Sequence, residues 1–266
     1  MKVLTDLDRP CAFVPTMGAL HAGHQSLIRQ ARELCDEVVV SVFVNPLQFD
    51  DADDLANYPT TPERDAELAR EAGATILWRP DYETIYPDQI RHISSGELGA
   101  KFEGVHRPGH FDGVLTVVNR LFDVVQPRYA IFGEKDFQQL FLITKMAKDL
   151  HPEIEIISAP TIRETSGLAM SSRNVRLNRE ARNAADVISQ TLRAAAIEES
   201  IENARSRLND ITREERFSLD YAEIIDADTF DIATEDSLKR RAIVAGWIDG
   251  VRLIDNMAMK SALVRA

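Results

Sequence analysis

The sequence predicts an α/β protein with a doubly wound parallel sheet, followed by a smaller C-terminal α+β domain. Strand-like and helix-like segments alternate along the first part of the chain, which is the order of repeated β–α–β units. The strand-like segments are nearly continuous apolar runs, as expected of strands that are buried on both faces. Beyond about residue 176 the order changes to helices followed by strands. We therefore expect two domains, residues 1–176 and residues 177–266.

The elements of the first domain follow from periodicity and from turn residues. Apolar residues recur at spacings of three and four from about residue 23, which indicates a helix. The segment EVVVSVFV at 37–44 is β-branched and almost uninterrupted, as in a buried parallel strand. Gly73 stands where a glycine commonly ends a helix. The predicted elements, in chain order, are strand 11–16, a helix from about 23, strand 37–44, helix 62–72, strand 75–78, helix 112–125, strand 129–132, helix 137–150 and strand 154–158.

The second domain differs from the first in composition and in the order of its predicted elements. Residues 178–210 contain almost no strand signal and are rich in Ala, Glu and Arg, which predicts one or two helices. Strand candidates follow at 219–225, 241–248 and 251–254. The last two flank Asp249-Gly250, a dipeptide that favours a two-residue hairpin turn.

Composition excludes some classes of protein. The chain has 266 residues, and 31 Lys and Arg against 43 Asp and Glu give a net charge of −12. A protein that coats nucleic acid or an anionic membrane needs a basic face, so we expect neither partner. A small anionic substrate stays compatible, because a few cations in a cleft can outweigh the global charge. Cys11 and Cys35 lie in apolar surroundings typical of buried free thiols, and no secretory signal or membrane-length apolar run occurs. These features favour the cytoplasm.

The segment PTMGALHAGH at 15–24 joins the first strand to the first helix. Phosphates bind at such junctions, where the carboxyl end of a strand faces a helix N-terminus. Gly18 and Gly23 would let a ligand approach the backbone closely. His21 and His24 are three residues apart and share one helical face, so both rings could reach one phosphate chain. Zinc is the alternative, but no third His, Cys or carboxylate lies nearby in sequence.

Three other polar segments follow strands of the predicted sheet or lie at its rim. Lys135, in GEKD at 133–136, could place a point charge on phosphate. In MSSRN at 170–174, the guanidinium of Arg173 and the neighbouring serine hydroxyls could bind a leaving polyphosphate. Gln48 could orient a hydroxylated substrate. Taken singly, each segment also fits an ordinary turn, a helix-capping serine or a loop glutamine. Their common position favours a shared site.

Five motifs in this order resemble the pantoate–β-alanine ligase (pantothenate synthetase) family: PTMGALHAGHQSL, VNPLQF, RPGHFDGVLTVV, FGEKDFQQL and GLAMSSRN. The HxGH and MSSR elements also resemble the HIGH and KMSKS signatures of the class I aminoacyl-tRNA synthetase and nucleotidyltransferase superfamily. The resemblance implies a Rossmann-like domain that binds ATP and pantoate, and a C-terminal lid that shields a hydrolysable intermediate from water.

The resemblance also implies a two-step reaction. The carboxylate of pantoate attacks the α-phosphate of ATP, which forms pantoyl adenylate and releases pyrophosphate. The amine of β-alanine then displaces AMP. The family further implies Mg²⁺ as a cofactor and a homodimer as the assembly.

Site residues carry over from the family motifs onto matching positions. His24, as proton donor, and His21, Lys135 and Arg173 are the implied catalytic residues. Gln48, Gln139 and Arg107 are implied for pantoate and β-alanine, and Asp65 for Mg²⁺. The implied ATP contacts are Met17, Gly18, Ala19, Leu20, His21, Ala22, Gly23, His24, Gly133, Glu134, Lys135, Asp136, Ile162, Met170, Ser171, Ser172 and Arg173. Because the protein is acidic overall, binding of these anions is expected to depend on local cations, taken as His21, His24, Arg107, Lys135 and Arg173.

Two rival functions stay open at this point. A nucleotidylyltransferase of the same superfamily would need an additional basic cluster for a phosphorylated acceptor, and the glutamines suit an uncharged hydroxyacid tail better. A catalytically silent nucleotide-binding regulator would be expected to lose His21, His24, Lys135 and Arg173, all of which are present.

Overall fold

The computed structural model describes residues 4–260 and shows two compact units that divide after Ile162. The strands of the first unit are β1 (Cys11–Thr16), β2 (Glu37–Val42), β3 (Ile76–Trp78), β4 (Tyr129–Gly133) and β5 (Glu155–Ala159). From residue 4 onward its helices are α1 (Ala22–Leu34), α2 (Ala52–Ala56), α3 (Pro62–Ala72), α4 (Tyr82–Ile85), α5 (Gly96–Gly99), α6 (Glu103–His106), α7 (His110–Val125) and α8 (Phe137–Leu150).

The five strands form one sheet in the order β3-β2-β1-β4-β5, and all neighbouring strands are parallel. Both faces are buried, because alternate residues enter different cores. Phe13 and Val39 belong to an apolar cluster that includes α7 and α8, whereas Val14 and Val38 belong to one that includes α1 and α3. Burial of each such side chain contributes about 1.5–3 kcal/mol. The predicted doubly wound parallel sheet is confirmed.

Most predicted elements agree with the structure within two residues. Helices α3 and α8 have the predicted bounds, and Gly73 ends α3 with a φ of 105°. Helix α7 begins at His110, before the predicted 112. The short helices α2, α4, α5 and α6 were not predicted, since four or five residues are too few to show helical periodicity.

The order of the strands determines where a ligand can bind. The chain passes from β1 outward to β2 and β3, and it returns to the other side of β1 with β4. The carboxyl ends of β1 and β4 are therefore adjacent, and the loops that follow them lead into α1 and α8. Doubly wound sheets bind ligands in the crevice at this change of direction.

The second unit is α+β, as predicted. It contains α9 (Arg179–Ala196), α10 (Ile201–Asn209) and an antiparallel sheet of β6 (Phe217–Asp226), β7 (Arg240–Ile248) and β8 (Val251–Ala258), in that order. The hairpin between β7 and β8 turns at Asp249 and Gly250, whose φ values of 46° and 78° are those of the favoured two-residue turn.

The boundary between the units corrects the prediction. The division after Ile162 lies earlier than the expected boundary at 176, because the intervening segment is attached to the second unit. Arg163 makes a bidentate ion pair with Asp255 of β8, at 2.5 and 3.0 Å. Leu168 is buried in the apolar core formed with α9 and the antiparallel sheet. No helix within residues 4–260 is long and apolar enough to span a membrane.

Candidate active site

The loop after β1 is shaped by hydrogen bonds to its own backbone. Thr16 Oγ1 donates to the Ser41 carbonyl at 2.7 Å and accepts from the Gly18 N–H at 3.2 Å. Gly18 has a φ of +89°, which disfavours any residue with a side chain. A Cβ there would also lie 3.0 Å from Val42 Cγ1 and 3.1 Å from Asp65 Oδ2. The first glycine of the motif is therefore required by the turn itself.

Asp65 of α3 holds this loop by hydrogen bonds to its backbone. The residue is 1% exposed, and its carboxylate accepts hydrogen bonds from the Leu20 N–H at 2.8 Å and the Ala19 N–H at 3.2 Å. Thr61 Oγ1 donates a third, at 2.9 Å. Hydrogen bonds to a charged group contribute about 1.5–3 kcal/mol each. A buried carboxylate thus sets the path of the backbone that precedes the two histidines.

His21 and His24 form a reciprocal cap at the start of α1. His21 Nδ1 accepts from the Gly23 N–H at 3.1 Å, and His24 Nδ1 accepts from the His21 N–H at 3.3 Å. The ring centroids are 4.1 Å apart. Because both Nδ1 atoms accept backbone donors, each neutral ring must carry its proton on Nε2. The pair therefore offers two Nε2–H donors at a helix N-terminus.

Burial keeps both rings neutral. Desolvation, with a smaller contribution from the nearby Lys135, lowers the pKa of His21 to about 4. Desolvation also lowers the pKa of His24 to about 3, with His21 as the next cause. At neutral pH the two imidazoles are accordingly hydrogen-bond donors and not cations. The sequence prediction counted both histidines among the local cations, whereas burial favours the neutral rings in the protein without ligands.

Neutral buried histidines make the folded state sensitive to acid. Unfolding returns each ring to a pKa of about 6.5, so the unfolded chain binds more protons below that value. We expect the free energy of unfolding to fall as the pH is lowered from about 6.5 towards 4. Urea denaturation at pH 7.5 and pH 5 measures this loss, which should be smaller in His24→Asn and unchanged in a variant of the exposed His92, His92→Asn. An equal loss in all three proteins would contradict the assignment.

Lys135 lies near the two histidines. It lies in a single 3₁₀ turn, Glu134–Asp136, between β4 and α8. Its ammonium is 3.3 Å from Asp136 Oδ1, and it is close enough to lower the pKa of both histidines. The structure thus brings together two motifs that are more than one hundred residues apart in the chain, as the strand order requires.

Gln48 contacts the loop that precedes the histidines. It ends the 3₁₀ turn Pro46–Gln48 after β2, and the residue is 8% exposed. Its Nε2 donates to the Met17 sulfur at 3.0 Å, and Asn45 Nδ2 donates to its Oε1 at 3.2 Å. A polar amide is therefore held against the first residue of the loop.

A comparison with protein families matches residues 2–258 to the model described as pantoate-beta-alanine ligase. Pantothenate synthetase from Sphingopyxis alaskensis is 46% identical over 92% of this chain and 90% of its own. Pantothenate synthetase from Vibrio parahaemolyticus is 46% identical over 97% of this chain and 89% of its own. The chain belongs to the pantoate–β-alanine ligase family.

Solved structures agree with this membership. A crystal structure of pantothenate synthetase from Thermus thermophilus has a TM-score of 0.88 and 40% identity, and the match covers 97% of this chain and 99% of that one. A pantoate-beta-alanine ligase from Francisella tularensis, complexed with beta-gamma ATP and beta-alanine, has a TM-score of 0.81 and 36% identity over 96% of this chain and 92% of that one. The chain is accordingly a ligase that joins pantoate to β-alanine.

Asp65, the residue implied for Mg²⁺, is engaged by the loop of the ligase. The Asp65 carboxylate accepts hydrogen bonds from two backbone N–H groups and a hydroxyl, all of them in or next to the loop. No group of three or more His, Cys, Asp or Glu within residues 4–260 could hold a metal ion. The contacts of Asp65 support a role in holding the loop, and within the same residues the zinc alternative at His21 and His24 finds no further ligands.

Arg107 is an implied cation whose charge is already compensated. Its guanidinium lies 3.2 Å from Asp50 and 3.7 Å from Glu103. It also contacts His110, whose Nε2 is 3.1 Å from Arg107 Nη1 and whose Nδ1 is 2.7 Å from the Gln48 carbonyl. Since an arginine only donates, His110 accepts at Nε2 and donates from Nδ1 to Gln48. Burial and then Arg107 lower the pKa of His110 to about 4, consistent with a neutral ring.

The adjacent glutamines of the FQQL segment have different environments. Gln138 is 7% exposed; its Nε2 donates to the carbonyls of Leu98 and Lys101, at 3.0 and 2.9 Å, and its Oε1 accepts from the Glu103 N–H at 3.2 Å. Gln139 is only half-buried. Gln138 therefore holds the segment around α5 and α6, and Gln139 is the more exposed glutamine of the pair.

The serine motif belongs to the second unit of the ligase. Ser171 Oγ accepts from the Arg173 N–H at 3.3 Å, which caps the 3₁₀ turn Ser172–Arg176. The alternative interpretation of Ser171 as a capping residue is therefore confirmed. Asn174 is 4% exposed and donates to Glu164 and to the Ala169 carbonyl, both at 3.0 Å. These bonds fix the backbone from which Arg173 extends.

Sequence reasoning missed three supports of this site: Asn45 and His110, which bond to Gln48, and Tyr86, whose hydroxyl donates to Asn45 Oδ1 at 3.0 Å. Asn45 and His110 stand within the family motifs VNPLQF and RPGHF, so a signal was present. Their roles depend on partners far along the chain, which no local pattern indicates.

Proposed function

We propose that this ligase joins its substrates through a pantoyl adenylate. The pantoate carboxylate would attack the α-phosphorus of ATP and release pyrophosphate, and β-alanine would then attack the acyl carbon and release AMP. The observation that carries the proposal is the pair of Nε2–H donors at the start of α1, next to Lys135, where the carboxyl ends of β1 and β4 meet. Such a junction favours a polyphosphate.

The proposed role of the histidines is electrostatic. In the transition state, negative charge accumulates on the α-phosphoryl oxygens and on the leaving pyrophosphate. Neutral Nε2–H groups already held by their Nδ1 bonds can donate to these oxygens without reorganising. Lys135 supplies the local positive charge. The low pKa of His24, about 3, supports a role as hydrogen-bond donor in preference to the proton-donor role that the family resemblance implied.

Positioning supplies the rest of the acceleration. A carboxylate is a weak nucleophile, so it must be aligned with the α-phosphorus before it reacts. We assign this task to Gln48 and Gln139, which would hold the carboxylate and hydroxyl groups of pantoate. This assignment is supported by the location of Gln48 against Met17 of the histidine loop and by the partial exposure of Gln139. The implied ATP contacts from Met17 to His24 and from Gly133 to Asp136 belong to the same loops.

The second unit is proposed to act as a lid. Met170, Ser171, Ser172 and Arg173 would close over the triphosphate, with Ile162 at the nucleotide, and would keep water from the adenylate. The capped turn beneath Arg173 supports this role, because it holds the guanidinium on a defined backbone. A cytoplasmic homodimer is part of the proposal and rests on family resemblance; sedimentation of the purified protein tests the dimer.

The proposal is tested by exchange of labelled pyrophosphate into ATP, supplied as its magnesium salt. Exchange should require pantoate and proceed without β-alanine, because the first half-reaction is reversible. Addition of β-alanine should then release AMP, with one AMP for each pantothenate. A nucleotidylyltransferase would retain the nucleotide in its product, and a silent nucleotide-binding protein would catalyse neither step. Absence of both exchange and AMP release would overturn the ligase mechanism.

A further inference from the structure

The amide of Gln48 is oriented by a chain of hydrogen bonds that ends at Tyr86. Tyr86 Oη donates to Asn45 Oδ1 at 3.0 Å, and the Leu47 N–H donates to the same oxygen at 3.3 Å. Asn45 Nδ2 donates to the Gly113 carbonyl at 3.1 Å and to Gln48 Oε1 at 3.2 Å. Each of these four contacts joins a donor to an acceptor.

Two backbone groups remove any ambiguity in the direction of this chain. A backbone N–H can only donate, so Leu47 requires the oxygen of Asn45 on its side. A carbonyl can only accept, so Gly113 requires the nitrogen. Asn45 is 1% exposed and makes all of these bonds at once. The oxygen of Gln48 is thereby committed to Asn45, and the nitrogen of Gln48 is turned the other way.

The close approach of α7 makes this arrangement possible. A Cβ at Gly113 would lie 2.1 Å from the Leu47 carbonyl oxygen and 2.7 Å from Gln48 Cα. Only glycine allows α7 to approach the Pro46–Gln48 turn this closely, and this contact delivers the Gly113 carbonyl to Asn45. His110, one turn earlier on α7, donates to the Gln48 carbonyl at 2.7 Å and holds the backbone of the same residue.

The outward nitrogen of Gln48 lacks a strong acceptor. Its contact is the Met17 sulfur at 3.0 Å, and a thioether is a weak acceptor. An amide nitrogen carries two hydrogens, so it retains capacity to donate to a better acceptor. The buried phenol at the other end stays protonated and able to donate, because desolvation raises the pKa of Tyr86.

We infer that Tyr86 is a positioning residue which, through Asn45, makes Gln48 a donor and not an acceptor towards the substrate. The inference rests on the proposed function, in which Gln48 binds pantoate. It deepens that function by specifying the matching group: an oxygen that accepts, either the carboxylate or a hydroxyl used as an acceptor. A substrate that could offer only a donor at this point is disfavoured.

Variants of Gln48 test the direction of the amide. Gln48→Glu keeps an oxygen for Asn45 but replaces the outward N–H groups by an acceptor, whereas Gln48→Met provides neither donor nor acceptor. Pantoate-dependent pyrophosphate exchange measures KM for pantoate and for ATP. We expect KM for pantoate to rise about 10-fold in Gln48→Met and about 100-fold in Gln48→Glu, because the latter loses the donor and also adds a negative charge that repels the pantoate carboxylate. A lower KM in Gln48→Glu than in Gln48→Met would overturn the inference.

A phenylalanine at position 86 tests the remote end of the chain. Tyr86→Phe removes one donor from Asn45 and keeps the ring, so KM for pantoate should rise about 3- to 10-fold while KM for ATP and kcat stay nearly unchanged. Tyr82→Phe is the matched control, since Tyr82 is adjacent to Tyr86, 40% exposed and has no bond to Asn45. Equal increases in both KM values, or the same effect in Tyr82→Phe, would overturn the role of Tyr86.

Failure of this inference is distinguishable from failure of the proposed function. If the unmodified protein catalyses no pantoate-dependent exchange, the adenylate mechanism itself is wrong. If it catalyses exchange but the order of the Gln48 variants is reversed, only the orientation of the amide is wrong. Should Tyr86→Phe fold poorly, as seen by thermal melting, the Gln48 variants still decide the direction of the amide.

Discussion

Replacement of His24 by asparagine is expected to lower kcat by about 100- to 1,000-fold with little change in the free energy of unfolding. Asparagine places its Oδ1 near the position of the histidine Nδ1, so it can still accept from the His21 N–H, which His24 Nδ1 accepts at 3.3 Å. It cannot reach the position of Nε2. The variant thus removes the proposed donor to phosphate and keeps the helix cap. Pyrophosphate exchange and urea denaturation measure the two effects separately.

Two further substitutions serve as controls for this result. His24→Gln places a donor near the position of Nε2 but loses the bond at Nδ1, so we expect partial activity and a loss of about 0.5–2 kcal/mol in stability. His24→Ala loses both groups, and it should retain its fold while losing most turnover. If His24→Asn were as active as the unmodified protein, or if it failed to fold, His24 would be a structural residue and the proposed role would be wrong.

Substitution of Asp65 by asparagine is expected to reduce both stability and activity. One amide nitrogen would replace an oxygen that accepts a backbone N–H of the loop, which leaves buried donors facing each other. We expect a loss of about 3 kcal/mol in the free energy of unfolding. Displacement of the histidines by about 1 Å would lower kcat by a further factor of about 100. Urea denaturation without ligands and steady-state kinetics measure these losses.

A titration of activity with Mg²⁺ distinguishes two roles of Asp65, holding the loop and binding the metal. If Asp65 holds the loop, the stability of the ligand-free protein falls and the concentration of Mg²⁺ at half-maximal activity is unchanged. A magnesium ligand would show the opposite pattern. Glu67→Gln is the matched control, because Glu67 lies on the same helix and makes only an exposed ion pair with Arg64 at 3.0 Å. Such pairs contribute about 0–1 kcal/mol, so this variant should resemble the unmodified protein.

The fold was predictable from local pattern because each element carries its own signal. Apolar spacing identified α8 at its observed bounds, and Gly73 marked the end of α3. The boundary between the units was harder to predict from the sequence. The segment from Arg163 contains no regular element before the turn at 172, and its attachment depends on Asp255, which is more than ninety residues away. The apolar periodicity of a sequence cannot indicate an ion pair between residues so far apart in the chain.

The candidate site was predictable as a set of motifs but not as a set of contacts. The junction of β1 and α1, the lysine after β4 and the glutamine after β2 follow from the rule that parallel strands present their carboxyl ends to ligands. Two features of the charge distribution were not predictable. Arg107 is paired with Asp50 and Glu103, and His21 and His24 are neutral because they are buried. Burial and pairing are properties of the surroundings, and the net charge of −12 says nothing about either.

By itself, the sequence determined which elements form, where the polar loops follow the strands and which family the motifs resemble. These features depend on residues that are near one another in the chain, or on the order of motifs along it, and both can be read from the sequence. Only the tertiary structure decided that Asp65 supports a backbone loop, that each histidine presents its Nε2–H and that Gln48 presents its nitrogen. Each of these facts is the direction of a hydrogen bond, which exists only when folding brings a donor and an acceptor within reach.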